Sequence, residues 1–485
     1  MKRTNKHNHL PRYVVVIISI YINLFLCISS YSQSDSLSFY LGVAAKNNPA
    51  VMQKFTEYKA ALQKIPQVGS LPDPDLSVGV FLSPMELLGG KQVADIRLMQ
   101  MFPWFGVLRN AKDEMSLMAK AKYESFRDAK LQVFFDLQQT WYELYKVEQA
   151  TRISEKNLEI LHTLERLSLV KFKTASTGGG NASSQGGAMS SGASPAASPG
   201  SSGMQTMGGT PGNNAGTVAS QAPAPMPSSS GGSGLADLYR IQMEIGELEN
   251  SISLLKNQHN TIVARFNSFL NRPVQSPVAL PDTLSPDALN IPILAVSDSM
   301  LTNNPMLGML KFEEQSLEAR RQMVTRMGYP MVGLGLNYSL INKSLMSTSS
   351  MNGKDMVMPM VTVTLPIYRK KYKAMQEEVV LMKTATAQGL QATANSLQTE
   401  YYETVQNYQD AQRRVTLYAR QNQLANQSLN IMMKSFSSSG AGLTDLLRVR
   451  QQTLDYGLKQ LDALADFNTA IARLRRLGDI EINKL

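Results

Sequence analysis

The feature that most restricts what this chain can become is that its punctuation occurs twice. Asn47-Asn48-Pro49 recurs as Asn303-Asn304-Pro305, and Pro74 follows Pro49 by 25 residues as Pro330 follows Pro305 by 25. Gly79 and Gly335 each lie 30 residues beyond the first proline of their half, and Phe102-Pro103 has a counterpart in Leu365-Pro366. Farther on, Gly234-Leu235-Ala236-Asp237-Leu238-Tyr239-Arg240 matches Gly442-Leu443-Thr444-Asp445-Leu446-Leu447-Arg448. Five matches in the same order read as an internal duplication, each half being one supersecondary unit.

Each mark has a mechanical meaning. Asn before Pro starts a helix: the amide side chain caps free backbone N–H groups and Pro is pre-set for the first turn. Each half is therefore expected to open with a helix, near 49–65 and 305–327, ended by the next prolines. Strands follow. Val332, Leu334, Leu336, Tyr338 and Leu340 alternate with Gly333, Gly335, Asn337 and Ser339, a period of two with one apolar and one small or polar face. Val361, Val363 and Leu365 alternate with Thr362 and Thr364, and Val78, Val80 and Leu82 with Ile96, Leu98 and Phe102 give the first half its own hairpin. After Pro103 and Pro366 the period lengthens, with Leu108, Ala111, Met115 and Met118 spaced by threes and fours. The stretch 107–176 has no proline or glycine, and 368–437 is interrupted only by Gly389. About 70 residues at about 1.5 Å each make a helix on the order of 100 Å long. Helices return near 235–271 and 442–477, where Leu447, Leu454, Leu458 and Leu461 mark the seam of an antiparallel coiled coil.

Residues 178–234 break the symmetry. They carry no charge and no aromatic ring, consist largely of Gly, Ser, Ala, Pro, Asn, Gln, Thr and Met, and sit where the second half has only Ser437 to Ala441. Such a segment buries too little apolar surface to offset its ordering entropy, so disorder is expected. The N-terminus reads as a targeting signal. Lys2, Arg3, Lys6 and Arg12 precede an apolar run from Tyr13 to Ile28 and a small-residue region at Ser29 to Gln33. Cys27, the one cysteine, lies inside it, and the bulky Leu26 before it argues against lipidation. The expected organisation is a signal over 1–33, a first repeat over 37–272 carrying the insertion, a linker over 273–294 and a second repeat over 295–480.

The net charge of +10 does not point to nucleic acid, because those four N-terminal residues account for part of it and the rest alternates with Glu and Asp along helical faces. No later run reaches the length of a transmembrane helix, so a membrane role requires strands. Four strands facing lipid leave unsatisfied backbone groups at both edges, and bacterial barrels begin at eight strands. Several copies must then share one barrel. Its lumen would be lined by the small and polar face, and the long helices would project into an aqueous compartment. The fold class expected is an α+β membrane protein, mostly α.

The tract Leu71-Pro72-Asp73-Pro74, followed by Gln100-Met101-Phe102-Pro103-Trp104-Phe105-Gly106, resembles the first hairpin of TolC-like outer-membrane factors, particularly the heavy-metal efflux branch related to CusC and CzcC. The twin Gly-Leu-x-Asp-Leu tracts resemble that family's periplasmic tip. Over roughly 37–480 the resemblance implies a homotrimer in outer-membrane lipid with a 12-stranded barrel and a helical periplasmic tunnel. It also implies docking to a periplasmic adaptor and an inner-membrane RND-type pump, and no enzyme activity or cofactor. It places Gly234, Leu235, Asp237, Leu238, Arg240, Gly442, Leu443, Asp445, Leu446 and Arg448 at the tip in contact with the adaptor. Asp445 is implied to ring the pore constriction, where three like charges would act on cations. Arg448 stands where some members carry a second acid. First-turn or capping roles at a helix start are the other reading of Asp237 and Asp445.

No phosphate-binding glycine loop, CxxC pair or HExxH occurs, and His162 and His259 are isolated. Methionine is the one soft ligand in quantity, with 27 in the chain. Met351, Met356, Met358 and Met360, with Met346, cluster around the second hairpin and are candidate transient contacts for Cu(I) or Ag(I), against adaptable packing as the alternative. A periplasmic adaptor would have one helical hairpin, and a structural coiled-coil protein would lack the alternating strands. Within the channel class, general drug export and type I polypeptide secretion stay open beside metal efflux.

Overall fold

The computed structural model describes residues 37–177, 233–287, 289, 292–438 and 440–480, with side chains left undescribed at 174–177 and 233–234. The signal expected over 1–33, the Cys27 question and nearly all of the 178–234 insertion lie outside the described residues. Twelve elements are seen among those described: α1 (Leu37–Asn47), α2 (Pro49–Gly69), β1 (Asp75–Leu87), β2 (Gly90–Phe102), α3 (Val107–Thr177), α4 (Ser233–Phe269), α5 (Ile293–Asn303), α6 (Pro305–Met327), β3 (Met331–Asn342), β4 (Met356–Thr364), α7 (Arg369–Ser437) and α8 (Leu443–Gly478). Each half runs helix, helix, strand, strand, long helix, returning helix.

Both helix starts at Asn-Pro are present, and each asparagine does the same two things. The Asn48 side chain accepts from the Ala50 and Val51 amides at 2.9 and 3.3 Å and donates to the Phe269 carbonyl at 2.9 Å. Asn304 accepts from the Met306 amide at 3.0 Å and donates to the Leu477 carbonyl at 3.2 Å. Each caps its own helix and satisfies an orphan carbonyl where the returning helix ends. The spacings persist into the core. Tyr40, Ala44 and Val51 are buried in one cluster, and Val296, Met300 and Leu307, each 256 residues later, in another. Phe134 and Leu397 occupy matching places on the two long helices in those same clusters.

Two elements depart from expectation. A short helix precedes each Asn-Pro, because Asn48 and Asn304 receive the chain from a helix as well as starting one: their amides donate to the Ala44 and Met300 carbonyls at 3.0 and 3.3 Å. The helix expected over 49–65 runs through Pro66 to Gly69. Pro66 removes one intrahelical donor, but only the final turn lies beyond it, and the Ser70 hydroxyl donates to the Pro66 carbonyl at 2.7 Å.

The chain divides into two compact units. The first comprises the described residues within Met1–Arg152, Leu254–Asn426 and Gln452–Leu485, and the second lies within Ile153–Ser253 and Gln427–Gln451. The first unit holds one antiparallel sheet in the order β1-β2-β3-β4, with β1 and β4 at its edges. It also holds the aromatic core of Tyr40, Phe134, Trp141 and Phe266, where Tyr40 meets Phe266 edge to face at 5.1 Å. An Arg127 guanidinium shared between Glu124 at 2.7 Å and Asp479 at 2.5 Å ties the end of α8 to α3. In the second unit Leu161 and Leu164 of α3, Ile241 of α4 and Leu446 of α8 are all fully buried.

Candidate functional site

The strand register sorts the sheet into two chemically distinct faces. Val332, Leu334, Leu336, Tyr338 and Leu340 of β3 lie beside Leu98, Ile96 and Ala94 of β2 and Val363, Val361 and Val357 of β4, and beyond β2 beside Leu76, Val78 and Val80 of β1. Most of these large apolar side chains are exposed, a patch of the kind that marks an interaction surface. The other face carries Ser77, Gly79, Asp95, Arg97, Gly333, Gly335, Asn337, Ser339, Thr362 and Thr364. The period-two reading of the second half is met through β3 and β4, with Leu365 alone falling just beyond the strand. In the first half a register shift between Val80 and Met85 interrupts the alternation, which is why that hairpin was less legible.

The polar face also bears methionines. Met356, Met358 and Met360 pair with Ser339, Asn337 and Gly335, while from the other side Met99 and Met101 pair with Gly335 and Gly333. A Cβ at Gly335 would sit 3.7 Å from the Met360 methyl, and one at Gly333 would collide with the Met101 sulfur. The two glycines therefore form a lane into which thioethers lean from both neighbouring strands. The sequence reading missed Met99 and Met101, although their alternation with Leu98, Gln100 and Phe102 carried the signal. Met351 falls elsewhere, exposed in the β3–β4 loop.

In the second unit the twin tracts open α4 and α8 but differ in burial. Gly234 and Leu235 begin α4 with Leu235 exposed, Asp237 and Leu238 half-buried and Arg240 exposed. Leu443 and Leu446 are buried, Gly442 is exposed, and Asp445 sits in the first turn of α8 where its charge favours the helix dipole. The tracts touch where the Arg240 guanidinium donates to the Thr444 hydroxyl at 3.3 Å. Asp445 pairs with Arg448 at 2.9 Å, the two side chains 59% and 67% exposed. The acid implied to ring the constriction thus carries its own counter-charge one turn along the helix.

A buried arginine paired with a half-buried glutamate lies nearby, and sequence reasoning did not find it. Arg450, 2% exposed, donates through Nη2 to Glu244 at 2.5 Å and to Gln451 at 3.2 Å. Its Nε and Nη1 are buried without a hydrogen-bond partner in the protein. Nothing local distinguishes Arg450 from the many solvated arginines of the long helices. Its burial follows from tertiary packing alone. Among the described residues no cluster of His, Cys, Asp and Glu is arranged to hold a metal ion.

No protein-family profile matches the sequence, and no curated protein matches it. Solved structures do. The Campylobacter jejuni CmeC outer membrane channel is similar over 91% of this chain and 85% of its own at a TM-score of 0.68 and 12% identity. The Vibrio cholerae outer membrane protein VceC is similar over 91% and 96% at a TM-score of 0.65 and 12% identity. CusC, a transmembrane channel, is similar over 93% and 95% at a TM-score of 0.65 and 11% identity. CmeC and VceC are as similar as CusC, so the likeness carries the fold and not the heavy-metal branch. CmeC is an outer membrane channel, and CusC forms a transmembrane channel. The chain has the fold of the TolC-like outer-membrane channels.

Proposed function

We propose that the chain is one protomer of an outer-membrane efflux channel, the product of an internal duplication, whose four strands join those of two further copies in a 12-stranded barrel. The observation that carries this reading is the sheet, apolar on one face, small and polar on the other, and ending in open edges at β1 and β4. Among the described residues no helix is long and apolar enough to cross a membrane, so the sheet is the element suited to the bilayer. Open edges in lipid leave backbone groups unsatisfied, and closure with further copies removes them. The helices then continue the barrel as a periplasmic tunnel.

The second unit carries the surface that meets a periplasmic adaptor and, through it, an inner-membrane RND-type pump. Leu235, Tyr239 and Met243 on α4 and Val170 and Phe172 on α3 are exposed apolar side chains on an otherwise charged surface, as at a docking site. Energy coupling resides in the pump, and the channel supplies no catalytic group. The protein should conduct ions in planar bilayers and restore efflux to a strain lacking its outer-membrane channel. Correctly exported protein that neither conducts nor restores efflux would sink the proposal.

The finer reading concerns cargo. A barrel lumen is ordinarily polar, whereas Met99, Met101, Met331, Met356, Met358 and Met360 bring thioethers to this face; thioether sulfur suits Cu(I) and Ag(I). This lining favours soft-metal efflux over general drug export or polypeptide secretion. Replacing Met99, Met101, Met358 and Met360 together by Leu keeps volume and removes sulfur. The substitution should lower silver resistance and leave drug resistance intact; equal silver resistance would remove the metal reading.

A further inference from the structure

At the helix end of the sheet the outer face changes character within a few residues. A cavity of about 540 Å³ opens over the paired ends of β2 and β3, walled by Phe102, Trp104, Phe105, Val332 and Leu334. Its strand residues, Phe102, Val332 and Leu334, belong to the two central strands and not to the edges β1 and β4. Trp104 stacks on Tyr329 with ring centres 5.4 Å apart. Tyr329 and Pro330 in turn border a second cavity of about 750 Å³, lined also by Arg369, Tyr372 and Lys373. Arg326 reaches the first cavity's wall at Phe105 and Gly106. Its guanidinium donates to the Phe105 carbonyl at 3.1 Å and lies against Gly106, whose φ of +86° and missing Cβ make room for it.

Five cations gather at this end of the sheet, three of them consecutive in the chain. Arg326, Arg369, Lys370, Lys371 and Lys373 have no carboxylate partner among the described residues, whereas nearby Arg320, Arg321 and Lys383 each have one. Arg369, Lys370 and Lys371 moreover occupy the first turn of α7, which contains no acid. The helix dipole there opposes cations, so the placement costs stability that an external anion would restore. An apolar cavity, an interfacial aromatic pair and unpaired cations follow one another in the order in which a membrane presents acyl chain, interface and phosphate.

We propose that this junction is a binding site for an anionic phospholipid of the periplasmic leaflet, with its acyl chains along the β2–β3 cavity and its phosphate at Arg326, Arg369 and Lys373. The inference rests on the barrel reading. A zwitterionic lipid satisfies the apolar cavity but leaves the cations with an excess of positive charge, so the site selects the anionic headgroup. Lys370 and Lys371 extend the same field around the start of α7.

The full assembly, reconstituted in vesicles of equal phosphatidylglycerol and phosphatidylethanolamine, is released into native mass spectrometry and the retained lipid counted. Wild type should retain phosphatidylglycerol preferentially, and each of Arg326→Gln, Arg369→Gln and Lys373→Gln should lower that preference by about fivefold, as expected for a cation near a lipid surface. The triple variant should abolish it. An equal-charge control, Lys156→Gln/Arg413→Gln/Arg420→Gln on exposed helical positions, should leave it intact. A trimer that shows no preference, or whose preference falls equally in the control, overturns the site alone. Lipid-free protein that is not trimeric overturns the site together with the barrel reading.

Discussion

Asn48 and Asn304 should be energetically equivalent, and the equivalence can be measured. Asn48→Ala removes the cap on the Ala50 and Val51 amides, a loss of about 1 kcal/mol. It also removes the donor to the Phe269 carbonyl at a nearly buried position, a further loss of about 1–3 kcal/mol. The sum is about 2–4 kcal/mol. Where these amides exchange by local opening, the lower figure corresponds to exchange about 30-fold faster. Asn304→Ala should act equally on Met306 and on the Leu477 contact. The double variant should show both effects undiminished, because the two sites share no partner. Asn48→Asp keeps the acceptor and loses the donor, so it should retain protection at Ala50 and Val51 while loosening the end of α4. The assay is hydrogen exchange by mass spectrometry on peptides covering 48–55, 265–272, 304–311 and 473–480. Exchange within threefold of wild type at either site, or a large effect in one half only, would refute the claim that the halves are built on the same joint.

The remaining predictions concern the second unit and acid. Breaking the Arg450–Glu244 pair with Glu244→Leu should destabilise the second unit by about 3–5 kcal/mol, while Arg450→Met/Glu244→Leu should recover most of that loss, read as urea-dependent exchange in α4 and α8. Because Asp445 and Arg448 neutralise each other, Arg448→Ala should strengthen block by multivalent cations in single-channel recordings and Asp445→Ala should weaken it; identical block in both would leave Asp445 a helix-start residue only. Hydrogen bonds from Arg321 and Lys383 hold the Glu318 pKa down at about 2 from 4.5, so its stabilisation is present above pH 4.5 and lost as pH falls towards 2. Burial raises Glu124 and Asp128 instead, and protonating them in mild acid favours the folded state. The melting midpoint should therefore hold or rise on leaving neutrality and fall below pH 4.5, and Glu318→Gln should flatten that fall.

Much of the architecture was legible because it rests on local chemistry. Asn-Pro dipeptides set two helix starts, long runs without glycine or proline gave the two long helices to within a residue, and the alternation of β3 gave its two faces. What was missed depends on contacts distant in sequence. The helices before Asn48 and Asn304 were hidden because the same residue ends one helix and begins the next. Pro66 was read as a stop, although only one turn lies beyond it and Ser70 caps the Pro66 carbonyl at the helix end. Met99 and Met101 joined the second-half methionines only once the β2–β3 register placed them opposite Gly335 and Gly333. Arg450 has no signature in the sequence, since its neighbours in the chain would suit an exposed position as well.

The central claim is that this sheet is a third of a closed barrel. Its most direct test is the mass of the assembly extracted from outer membranes and kept in a bilayer mimic through native mass spectrometry. Edges at β1 and β4 with no partner among the described residues require closure by further copies, and the account predicts three chains per particle with no folded monomer. A stable, membrane-embedded particle containing one chain, with its sheet intact, would contradict it.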